Sequence, residues 1–166
     1  EDGELRLVYD EAGFAIRYAH LRLPLRPESY PTVLARDLGR LRRTLERDAP
    51  ALLRYLGIVY TLKSLPAEGG RERYDQAAFA RQLLRELYEQ EPAIQAFVDD
   101  NVAALNGRPG DPASFDGLDA LLGEQHYRLS YWKVAGEEIN YRRFFTVNDL
   151  ISVAVEDARV FADVHE

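Results

Sequence analysis

The sequence predicts a mainly α domain with a small β part. Three observations predict it. Two apolar runs of period two open the chain, leucines at helical spacing recur from residue 29 to 124, and Gly and Pro separate the leucine stripes. At 166 residues the chain is long enough to bury a core without disulfides. Leu5, Leu7 and Tyr9 alternate, as do Phe14, Ile16 and Tyr18, with Asp10-Glu11-Ala12-Gly13 between them. That is the pattern of a β-hairpin within residues 1–25. Pro24 and Pro27 are expected to end the sheet, because proline donates nothing to a ladder.

Helices are expected from there. Ser29 suits an N-cap, with Pro31 in the first turn, and Leu34, Leu38, Leu41 and Leu45 form one helical stripe. A second helix runs from Pro50 to about Leu65 and buries Leu52, Leu56 and Val59. Gly69-Gly70 breaks the chain before a third helix carrying Phe79, Leu83, Leu84 and Leu87. Pro92 starts a fourth, with Ile94, Phe97, Val98 and Leu105 inward and Asn106-Gly107 as its stop. After the loop 108–112, Ser114 is expected to cap a short helix containing Leu118, Leu121 and Leu122. The leucine stripes read as core. From Gln125 the character changes. Tyr127, Tyr131, Trp132, Tyr141, Phe144 and Phe145 crowd together with Arg128, Arg142 and Arg143, in what reads as short strands near 127–145. Leu150, Val153 and Phe161 then suggest a helix after a turn at Asn148.

Composition excludes several functions. Twenty-eight acidic against 21 basic residues leave a net charge of -7, so no broad electropositive face for nucleic acid is expected. There is no cysteine, hence no thiolate metal site and no thiol nucleophile. No apolar run approaches the about 18 residues of a membrane span. The opening Glu1-Asp2-Gly3-Glu4 is not a signal peptide, and the missing initial Met and unfinished last helix lead us to expect a piece of a longer protein. Lys63 and Lys133 are the only lysines. Codon bias explains that for most positions; at Arg142 and Arg143 the planar fork of donors is itself a reason for arginine.

The serines lack a Gly-x-Ser-x-Gly setting, and His20, His126 and His165 form neither a triad nor a metal-binding pair, so no metal and no cofactor is expected. Gly69-Gly70 lacks the Lys-Ser/Thr of a phosphate loop. Asp99-Asp100, Glu137-Glu138 and Glu156-Asp157 are adjacent in sequence, and adjacent side chains do not face each other, so they read as solvated charges. The segment 125–149 is the informative one. Aromatic faces pack on the C–H face of a sugar ring while Arg and Asp bond its hydroxyls. The same mixture suits a core edge or a protein interface equally well.

The run Asn140-Tyr141-Arg142-Arg143-Phe144-Phe145, followed by Asn148-Asp149-Leu150, resembles the signature of the maltooligosyltrehalose synthases, glucosylmutases of the α-amylase family. Ala104-Leu105-Asn106-Gly107, the stretch from Pro109 to Asp116, Tyr127-Arg128-Leu129, Tyr131-Trp132 and Glu138-Ile139 extend the resemblance, as do the hairpin and Ser29-Tyr30-Pro31. It departs at Thr146, where the family carries Asp, and at Ile151-Ser152-Val153-Ala154. The resemblance implies an eight-stranded β/α barrel enzyme in which residues 1–147 are the insertion after the third barrel strand and 148–166 return into the barrel. It implies an isomerase of trehalose biosynthesis, with a maltooligosaccharide or α-glucan as substrate, the remainder of the barrel as partner and a cytoplasmic location. Its catalytic carboxylates would all lie outside this chain, leaving the isolated chain inactive. The residues it implies at the sugar are Tyr127, Tyr131, Trp132, Arg142, Arg143, Phe144, Phe145 and Asn148. The rival reading is a self-standing helical protein-interaction module with no catalysis.

Overall fold

The computed structural model describes residues 4–127, together with 129 and 161. The chain divides into two compact units, Glu1–Glu124 and Gln125–Glu166. The first is mainly helical with one small antiparallel sheet, as the sequence predicts at this coarse level.

Strands β1 (Leu5–Asp10) and β2 (Gly13–Tyr18) form the expected hairpin, in register from Leu5↔Tyr18 to Asp10↔Gly13. Two residues, Glu11 and Ala12, make the turn. The Asp10 carboxylate accepts a hydrogen bond from the Ala12 N–H at 3.0 Å, and Gly13 follows at φ 97°, a conformation that favours glycine. Leu7, Phe14 and Ile16 face the helices and are buried. A third strand, β3 (Leu21–Pro24), which the hairpin pattern does not include, pairs with β2 and ends at Pro24, where the sheet is expected to end. Proline stands here as the last residue of an edge strand, where no ladder donor is needed. Four residues are too few for a period-two signal.

The single stripe of leucines expected from Leu34 to Leu45 is two helices, α1 (Tyr30–Leu34) and α2 (Leu38–Thr44). Asp37 breaks it. Its backbone is left-handed at φ 50°, and its carboxylate accepts from the Arg40 N–H at 3.3 Å, so it caps α2 from inside what reads as one helix. Ser29 does not cap α1 with its side chain. It already has helical φ and ψ, as the end of a 3-10 turn over Pro27–Ser29, and its hydroxyl donates to the Arg26 carbonyl at 2.8 Å.

The longer helices follow their punctuation. α3 (Pro50–Lys63) starts at its proline, α4 (Arg71–Gln90) starts after Gly69-Gly70, and α5 (Pro92–Leu105) starts at Pro92. Asn106 is the C-cap of α5 and Gly107 follows it at φ 63°, the left-handed stop expected of that pair. α6 (Asp116–Gly123) begins two residues after Ser114. The Ser114 hydroxyl instead closes the preceding loop, accepting from the Arg108 N–H at 2.7 Å and donating to the Asp111 carbonyl at 2.6 Å.

α3 packs beside α4, α4 beside α5, α1 against α3 and α5, and β1 against α5. The core between them holds Val33, Leu34, Leu41, Leu52, Tyr55, Leu62, Leu84, Ile94 and Val98, so the leucine stripes are core. Leu56 is only half-buried, whereas Tyr55 and Ile58, which the leucine pattern passes over, are inside. Phe79 is 60% exposed and lies outside the core altogether. Among the described residues no helix is long and apolar enough to cross a membrane.

Of the second unit, Tyr127 sits in a bend and Leu129 in no regular element, so the alternation they share with Tyr131 makes no strand at those two positions. Phe161 is helical and exposed. The other strand expectations near 127–145 and the return at 148–166 lie outside the described residues.

Candidate functional site

The sugar-facing candidates divide sharply. Tyr131, Trp132, Arg142, Arg143, Phe144, Phe145 and Asn148 lie outside the described residues. Tyr127 is placed: it is half-buried, and burial pushes its hydroxyl above the ordinary tyrosine range, so it remains a neutral donor and acceptor at any physiological pH.

What the first unit shows is where its polar groups go. Asn101 lies on the buried stripe of α5, 2% exposed among apolar neighbours. Its amide nitrogen donates to the carbonyls of Val33 at 3.1 Å and Arg36 at 3.0 Å, satisfying the end of α1. Its amide oxygen accepts from Arg40 at 3.3 Å. Arg40 also donates to Asp100 and lies 5.0 Å over the ring of Phe97, so one guanidinium ties α2 to α5. Asn106 does the same for the sheet. Its side chain accepts from the Leu7 N–H at 2.7 Å and donates to the Leu7 carbonyl at 2.9 Å, closing the outer edge of β1.

Two buried phenols play the same part. Tyr30 accepts from the Phe14 N–H at 3.1 Å, and Tyr55 donates to the Leu34 carbonyl at 2.8 Å. Burial raises both hydroxyls above the ordinary value. Rings extend this frame, with Phe14 edge-on to Tyr30 at 4.9 Å and Tyr9 edge-on to Tyr88 at 4.8 Å. Sequence reasoning missed Asn101 and Asn106 as organising residues. A polar residue on an apolar helical stripe was the signal available for Asn101.

Several carboxylates of this unit are engaged. Asp10 takes a two-pronged contact from Arg22, with Nε at 2.9 Å and Nη2 at 2.6 Å, and that bond holds its carboxyl below the usual range. Burial pushes the Glu28 carboxyl up, but the bond from Arg73 together with backbone and charge contributions outweighs it, and the net shift is downward. Tyr88 donates to Asp99 at 2.7 Å and Arg40 to Asp100. The adjacent pair Asp99-Asp100 is exposed, as solvated charges are expected to be, and each member also accepts a surface hydrogen bond. Asp10 and Glu28, whose carboxyls are held below the ordinary range, are acceptors and ion-pair partners, not proton donors at neutral pH. Among the described residues no group of three or more His, Asp and Glu side chains is placed to hold a metal ion.

The fold thus defines a mainly helical unit carrying a small antiparallel sheet. No known protein family, curated protein or solved structure matches the chain.

Proposed function

We propose that this chain is a cleft wall of a maltooligosaccharide-converting transglucosylase of the maltooligosyltrehalose synthase type. The observation that carries the reading is the run Asn140-Tyr141-Arg142-Arg143-Phe144-Phe145 with Asn148-Asp149-Leu150 behind it. The ion pairs that tie Asp10 to Arg22 and Glu28 to Arg73 support it, because a wall needs a rigid support.

The chemistry explains why a wall is wanted. Breaking the reducing-end α-1,4 bond and rejoining that glucose through an α,α-1,1 bond passes through a glycosyl intermediate, formed on one carboxylate while a second acts as acid and then base. Water must be kept from that intermediate while the freed glucose turns within the site. Tyr127, Tyr131, Trp132, Phe144 and Phe145 would stack on sugar, and Arg142, Arg143 and Asn148 would bond its hydroxyls. At Thr146 a hydroxyl replaces the family's carboxylate and contributes a neutral bond only.

The test is partitioning. In the enzyme carrying this segment, Phe145→Ala and Arg142→Ala are each expected to raise hydrolysis relative to isomerisation of maltopentaose by about tenfold, as water enters and the glucose loses its orientation. An unchanged ratio in both variants refutes the wall. So does turnover of maltopentaose by this 166-residue chain alone. The rival reading of a protein-interaction module has one observation behind it, the exposure of Leu53 (57%) and Tyr60 (73%) on the outer face of α3.

A further inference from the structure

No further inference is drawn: the strongest candidate, the row of arginines that Arg6, Arg17 and Arg22 form across the three paired strands on the outer face of the sheet, carries none, because Asp10 of the same sheet already accepts from Arg22 at 2.6 Å and lies 3.9 Å from Arg17, and nothing in the structure shows what else the row would hold.

Discussion

Asn106 joins two parts of the chain that lie 99 residues apart, and its removal has a calculable cost. Leu7 is 1% exposed, and both its N–H and its carbonyl end on the Asn106 amide, at 2.7 and 2.9 Å. Asn106→Ala leaves a buried donor and a buried acceptor without partners. Each such orphan costs about 1–3 kcal/mol, and the half-buried setting of Asn106 lets water recover part of it, so about 2–4 kcal/mol is expected in all. For a chain of this size that lowers Tm by about 5–15 °C. Asn106→Asp separates the bond from the bulk of the side chain. At pH 7 the carboxylate still accepts from the Leu7 N–H, but its second oxygen meets the Leu7 carbonyl, acceptor against acceptor. Protonation turns that oxygen into a donor, so the folded state raises the pKa of the new carboxyl. Its penalty relative to wild type is therefore absent below the unfolded-state value of about 4 and complete above the raised folded value. Urea melts followed by far-UV circular dichroism at pH 4 and pH 7 measure both. If both variants stay within about 0.5 kcal/mol of wild type at pH 7, or if the Asp penalty ignores pH, Asn106 is not the pin described.

Two further outcomes follow from the same frame. A Cβ on Gly13 would stand 2.4 Å from the Tyr30 hydroxyl at φ 97°, so Gly13→Ala should destabilise by about 2–3 kcal/mol and Tyr30→Phe by about 1–2 kcal/mol. The double variant should cost less than the sum, because Phe removes the atom that clashes; strict additivity in urea melts would contradict the contact. Asp10 and Glu28 both have folded-state pKa values lowered below their ordinary 3.8 and 4.5. The stability they confer is fully present above those values and is lost as pH falls through the lowered ones. Asp10→Asn combined with Glu28→Gln should flatten the acid limb of a stability–pH curve, and an unchanged limb would show that other groups govern it.

The helices α3, α4 and α5 could be read directly, because amphipathic spacing and Pro or Gly boundaries are local signals: Pro50, Gly70 and Pro92 each stand where a helix begins. The hairpin was legible for the same reason, its turn and both runs lying within fourteen consecutive residues, Leu5 to Tyr18. Of the candidate site, sequence supplied the aromatic and arginine-rich run itself, and the structure places Tyr127 alone among its members.

Tertiary structure decided what depends on distant partners. The leucine stripe from Leu34 to Leu45 has one period whether or not it is broken, and the break at Asp37 is stabilised from another helix, by Asn101 holding the Val33 and Arg36 carbonyls. Ser29 and Ser114 both had the residue type of a cap, but the backbone around each offered a nearer carbonyl to bond. Asn106 looked like a helix stop, which it is, and its second role appears only when β1 lies alongside. Side-chain periodicity is set within one or two turns of chain and so is written locally. A hydrogen bond between residues 68 or 99 positions apart is specified only once packing has brought them together.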